Sequence, residues 1–75
     1  MPLTALPPGQ RAFVTEISGG HGMRRRLASM GLTTGSEVVT LISRGQGPVV
    51  VAVRQTRLAL GRGIASKILV EPLEG

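Results

Sequence analysis

Val38-Val39-Thr40-Leu41-Ile42, then Gly45-Gln46-Gly47-Pro48, then Val49-Val50-Val51-Ala52-Val53: two β-branched runs flank a connection of glycine and proline. Side chains branched at Cβ are stiff at χ1 and suit a pleated, half-buried surface. From Ser36 to Arg44, Val38, Thr40 and Ile42 alternate with Val39, Leu41 and Ser43, the period of a strand with two unlike faces. Val49 to Gln55 reads as the strongest strand of the chain. The turn residues between the runs predict that the two strands pair antiparallel as a hairpin.

Upstream of the hairpin, Gln10 to Ser18 reads as another strand, with Ala12, Val14 and Glu16 on one face and Phe13, Thr15 and Ile17 on the other. Ser18-Gly19-Gly20-His21-Gly22 breaks it. From Met23 the spacing becomes helical, because Met23, Leu27 and Met30 stand at i, i+4 and i+7 while Arg24, Arg25, Arg26 and Ser29 fill the remainder. Gly31 is the natural helix stop, and Thr33-Thr34-Gly35 turns the chain into the hairpin. Downstream, Thr56 and Arg57 read as a turn and Leu58 to Ala65 as a short helical turn rich in glycine. A last strand runs from Lys67 to Glu71, with Pro72 ending it. The order predicts a mainly β fold: a small curved sheet closing into a barrel, with one short amphipathic helix and a helical turn, as a single domain over residues 1–75. A three-layer α/β fold would need more chain. The glycines, 11 in 75 residues, serve bulges and corners where so small a barrel must bend.

Composition narrows the function classes. Hydrophobic residues make up 41% and charged ones 17%, which places the chain outside the disordered regime. The longest apolar run, Val49 to Val53, is far short of a spanning helix. The proline-rich start, Met1 to Pro8, lacks the charged region of a signal peptide, and a cytoplasmic location is expected. There is no cysteine, so neither disulfides nor thiolate metal sites supplement a thin core. Eight arginines and one lysine stand against four glutamates, for a net charge of +5, and such a balance favours an acidic partner. Phe13 is the only aromatic residue, which argues against nucleic acid because single-strand binders stack bases on several rings.

The inventory for chemistry is short. With one histidine, no aspartate and no Gly-x-Ser-x-Gly, the chain offers no base-activated nucleophile, and no enzymatic activity is expected. Glu16 and Glu37 fall on separate strands. His21 has no ligand neighbour within four residues and reads as a loop or cap residue, with a weak or intermolecular ligand as the alternative, so no resident metal or other cofactor is expected. The loop Gly19-Gly20-His21-Gly22 before a helix has the look of a phosphate cradle, yet Arg25 stands where the dinucleotide fingerprint wants its third glycine, as Ser66 does after Gly61-x-Gly63. Arg24 to Arg26 fan around a helix as a solvated face or as a docking site for an acidic or phosphorylated surface. Met23, Leu27 and Met30 suit a core stripe or an adaptable interface.

The order of residues as a whole resembles the FeoA family, ferrous iron transport protein A. It is carried by Leu3-Thr4 with Leu6 and Gly9, by Val14 and Ile17, and by Arg26-Leu27-Ala28-Ser29-Met30-Gly31-Leu32 followed by Gly35. It continues through Gly47-Pro48 before the valine-rich strand, Leu58-Ala59-Leu60-Gly61, Ala65 and Ile68-Leu69-Val70. Thr34 stands where many relatives carry proline, a change the turn tolerates. The resemblance implies an SH3-like small β-barrel, a cytoplasmic accessory of FeoB, the ferrous-iron membrane transporter with a cytoplasmic GTP-binding domain. It also implies action by protein contact, reaching the membrane only through that partner. Similar domains end iron-dependent repressors, whose preceding DNA-binding and dimerisation regions are absent from this sequence. On this reading the partner surface is the helix and its flanking turn, Met23, Arg24, Arg25, Met30 and Leu32, with an exposed barrel edge. A small basic nucleic-acid-binding barrel is the alternative, and self-association through strand edges is a further source of stability.

Overall fold

The protein is described from a computed structural model covering residues 1–73. A 3₁₀ turn at Leu3–Ala5 precedes β1 (Arg11–Ile17), α1 (His21–Ser29), β2 (Glu37–Ile42), β3 (Val49–Val53), β4 (Thr56–Leu60), α2 (Arg62–Ala65) and β5 (Ile68–Pro72). The strands form one antiparallel sheet in the order β4-β3-β2-β1-β5. The mainly β class is as the sequence implies, and so is the β2–β3 hairpin. No helix among the described residues is long and apolar enough to cross a membrane.

Three local expectations are corrected. Leu58, Ala59 and Leu60 do not begin a helical turn but complete β4, and Thr56 and Arg57 are its first residues rather than a turn. The turn lies one step earlier, at Arg54-Gln55 between the paired Val53 and Thr56, and Arg54 takes φ +58° there. A two-residue hairpin loop needs positive φ and normally uses glycine or asparagine, so arginine gave no signal. The helix begins at His21 rather than Met23.

The third correction concerns faces. In β1, Thr15 is an extra residue against β5, since Val14 pairs with Val70 and Glu16 with Leu69. The bulge reverses the alternation, so Ile17 joins Ala12 and Val14 inside while Glu16 is exposed. Leu41 does the same in β2 against β3, where Thr40 pairs with Val51 and Ile42 with Val50. Ile42 is thereby turned out to solvent instead of following Val38 and Thr40 inward.

One core results. Ala12, Val14 and Ile17 of β1, Val38 of β2, Val49, Val51 and Val53 of β3, Leu58 and Leu60 of β4, and Ile68 and Val70 of β5 supply its sheet side. Leu3, Leu6, Leu27, Leu32 and Ala65 cover it from turns, loops and helices. The first residues are held in place by an exchange of bonds with β5: the Met1 ammonium donates to the Val70 carbonyl (3.0 Å) and the Val70 amide donates to the Met1 carbonyl (2.7 Å). That pairing presents Leu3 and Leu6 to the core. Arg11 and Glu37 form an ion pair at 3.5 Å, but both side chains are more than half exposed, where such pairs contribute little.

Helix α1 ends in a Schellman motif. The Leu32 amide donates to the Leu27 carbonyl and the Gly31 amide to the Ala28 carbonyl, both at 2.9 Å, with Gly31 at φ +89°. The turn folds Leu32 back beside Leu27, and both are buried. Ser36 locks the segment that follows: its hydroxyl donates to the Gly31 carbonyl (3.1 Å) and accepts from the Thr33 amide (2.9 Å). Gly35 then joins the sheet, donating its amide to Val14 at 2.7 Å.

Two stability outcomes follow from these placements. A Cβ at position 31 would meet nothing closer than Val53 Cγ1 at 4.0 Å, so Gly31→Ala is opposed by backbone strain alone and should lower unfolding free energy by about 1 kcal/mol. Thr40 is fully buried and its hydroxyl has no hydrogen-bond partner among the described residues. Thr40→Val should therefore raise stability by about 1 kcal/mol. Thermal melts check both, since about 1 kcal/mol moves the midpoint of a domain this small by roughly 4–8 °C.

Candidate functional site

The helical spacing of Met23, Arg26, Leu27 and Met30 places all four on one side of α1. Leu27 goes into the core, Met23 lies half-buried against it, and Met30 stays 40% exposed at the C-cap. Opposite this stripe, β4 runs out at Leu60 and Gly61, and α2 follows at once because Gly61 has the extended backbone of a helix N-cap. The single turn of α2 closes through the Ala65 amide bonded to the Gly61 carbonyl at 2.9 Å. It buries Ala65 and leaves Ile64 38% exposed.

Between the two helices lies a groove of about 540 Å³, lined by the α1 stripe with Gly22 and by Ala59, Leu60, Gly61 and Ile64. Its floor, Leu27 and Leu60, is core; its lips are the exposed Met30 and Ile64 with the half-buried Met23 beside them. Met23 has a particular seat. An ideal Cβ on Gly19 would come within 2.5 Å of Met23 Cε, so the glycine at 19 leaves room for the methionine to pack.

The surrounding charge has one sign. Neither α1 nor α2 contains an acidic residue, and the glutamates fall at positions 16, 37, 71 and 74. Arg26 lines the groove and Arg24 and Arg25 are exposed beside it. Among the described residues the only ion pair is Arg11–Glu37, on the sheet. Arg62 is half-buried and donates from Nη2 to the Ser43 hydroxyl at 3.3 Å, tying α2 to the β2–β3 connection.

Of the residues singled out in the sequence, Met23 and Met30 come together at the groove. Arg24 and Arg25 lie on the same helix but outside the lining. Leu32 is wholly buried as the hydrophobic half of the helix stop, so its side chain supports the site from within and presents nothing to a partner. Arg26, read within the arginine run but left out of the partner surface, and Ile64, not singled out at all, also line the groove. Arg26 was legible, standing three residues from Met23 and four from Met30; Ile64 was not, because Leu58 to Ala65 reads as one element only until β4 is known to end at Leu60. His21 is exposed at the first residue of α1. No three of His, Cys, Asp or Glu gather among the described residues in a way that could hold a metal ion.

Floor and lips should respond differently to truncation. Leu27→Ala is expected to lower stability by about 2–5 kcal/mol through lost burial and a cavity, whereas Ile64→Ser, at a side chain already 38% exposed, should cost only about 1 kcal/mol. Chemical denaturation of the two variants separates the roles.

Comparison with known proteins agrees over nearly the whole chain. A family model described as "FeoA domain" matches residues 1–72. A provisionally named Fe(2+) transport protein A of Methanocaldococcus jannaschii is 38% identical over 73 residues, covering 97% of this chain and 88% of its own. Among solved structures, an iron uptake regulatory protein (FeoA) superposes with a TM-score of 0.91 at 40% identity, over 97% of both chains. FeoA of Stenotrophomonas maltophilia, solved with zinc and described as a procaryotic SH3 domain protein, gives 0.81 at 32% identity over 95% of this chain and 89% of its own. A manganese-dependent transcriptional repressor also contains the fold, with a TM-score of 0.87 at 31% identity over 97% of this chain and 41% of the repressor.

Proposed function

The chain belongs to the FeoA domain family, and from that premise we propose that it is a non-enzymatic cytoplasmic accessory of ferrous-iron uptake that acts by contact with the cytoplasmic region of a FeoB-type transporter. The observation that carries this reading is the α1–α2 groove, an apolar concavity left open beside the core and bordered by arginines without carboxylate neighbours on either helix. Apolar side chains gathered at an open concavity gain from burial by a partner, and methionines at its lips adapt to a partner's shape. The Fe(2+) transport name of one relative and the ferrous iron transport activation suggested for FeoA of Stenotrophomonas maltophilia support the choice of partner.

Within this reading Met23 and Met30 supply apolar contact and Arg24 and Arg25 the approach. Exposed rim charges act mainly on association rate and its salt dependence. Leu32 holds the end of the helix in position. The same accessory role needs no bound cofactor from this chain, and ferrous iron is cargo of the transporter.

Calorimetric titration of the chain with the transporter's purified cytoplasmic region should show binding that weakens as salt rises. Reversing Arg24 and Arg25 together to glutamate should weaken it about tenfold at low salt, mostly through slower association. Unchanged affinity in that variant would remove these arginines from the contact. Binding to nucleic-acid probes in place of the transporter region would replace the reading with that of a basic nucleic-acid-binding barrel.

A further inference from the structure

The chemistry of the groove also selects its occupant. We propose that the α1–α2 groove seats a short segment of the partner protein in which apolar side chains are flanked by carboxylates, an inference that rests on the accessory reading above.

The floor and lips call for apolar side chains. Leu27 and Leu60 below, with Met23, Met30 and Ile64 around them, offer a concave surface of about 540 Å³ whose burial by apolar side chains is favourable. Gly22 and Gly61 interrupt the walls with no side chain of their own, so a bound backbone can approach there. Arg26 calls for an acid. It stands on the groove stripe with no carboxylate on either helix, and Arg24 and Arg25 add to the positive field at the same rim. A carboxylate beside the apolar anchors would gain a charge-assisted bond that no acidic side chain among the described residues now makes with Arg26.

Other occupants fit one half of the site only. A phosphate backbone would use the arginines and leave Met30 and Ile64 wet. A flat anionic bilayer would not follow a concave surface whose apolar residues come from α1, the end of β4 and α2. A second copy of this chain carries glutamates at positions 16, 37, 71 and 74; Glu16, Glu37 and Glu71 lie on strands, none within an apolar helix or loop segment. An amphipathic partner helix with acidic flanks satisfies both halves.

The test uses the intact chain with its methionine and isoleucine methyls labelled for NMR. It is titrated separately with three probes: a short synthetic helix bearing two leucines on one face flanked by glutamates, the same helix with lysines for the glutamates, and the transporter's cytoplasmic region. The expected result is that the glutamate peptide and the cytoplasmic region shift the methyls of Met23, Met30 and Ile64, and the lysine peptide does not. Arg26→Glu should weaken the glutamate peptide by about tenfold or more. Gly22→Gln should abolish binding while melting no lower than wild type, because a Cβ at position 22 meets nothing within 4 Å and its backbone is already helical.

Equal shifts from both peptides, or none from either, would overturn the proposal. Binding of the cytoplasmic region with shifts elsewhere, as at Ile42 on the sheet, would overturn the groove and leave the accessory reading standing. The glutamate peptide seated in the groove while the cytoplasmic region fails to bind would uphold the groove's chemistry and remove the transporter as its source. Methyl shifts that follow protein concentration without any probe would assign the groove to a second copy and overturn the proposal.

Discussion

A left-handed glycine holds this fold and its candidate site in one arrangement. Gly31 at φ +89° lets the chain reverse at the end of α1, so that Leu27 and Leu32 enter the core together while the carbonyls of Leu27 and Ala28 are satisfied by the amides beyond. With Leu27 pinned inward, helix periodicity leaves no choice for its neighbours: Met23, Arg26 and Met30 must lie along the same side, at the boundary between core and solvent. The groove is therefore a consequence of how the helix is anchored. Its opposite wall is equally constrained, since α2 follows β4 with only Gly61 between and must bury Ala65.

A chain this short has little apolar surface to spend, which makes the open residues informative. Of the exposed large apolar residues, Met30 and Ile64 line one concavity together. The charged residues are also segregated. The arginine run sits on α1 with no acid on either helix, while Glu37 and Glu71 stand on the sheet near Arg11 and Phe13. Membership of the FeoA domain family relates the protein to ferrous-iron transport proteins; the segregation sets the α1–α2 face apart from the rest of the surface.

Much of the fold was legible because local rules agreed with it. The β2–β3 hairpin, the α1 stripe and the Gly31 stop each follow from residue type and period, and all are present. Where the reading failed, the deciding interaction was non-local. The bulges at Thr15 and Leu41 exist only in relation to the partner strands and reverse the exposure of Ile17 and Ile42. Arg54 occupies a turn position that carries no glycine or asparagine to announce it, and the loss of that turn merged β4 with α2 in the sequence reading. The site was half legible for the same reason: one wall is a periodic helix, the other depends on where β4 ends. Leu32, adjacent to the helix, reads as surface until the Schellman geometry turns it inward.

The central claim is that the α1–α2 groove is the face that meets the partner. Site-specific photocrosslinking tests it most directly, with a photoreactive residue placed at Ile64 in one variant and at Ile42, exposed on β2 of the sheet, in another, each mixed with the transporter's cytoplasmic region. A crosslinked product is expected from position 64 and none from position 42. A product from position 42 with none from position 64 would contradict it and move the contact to the sheet.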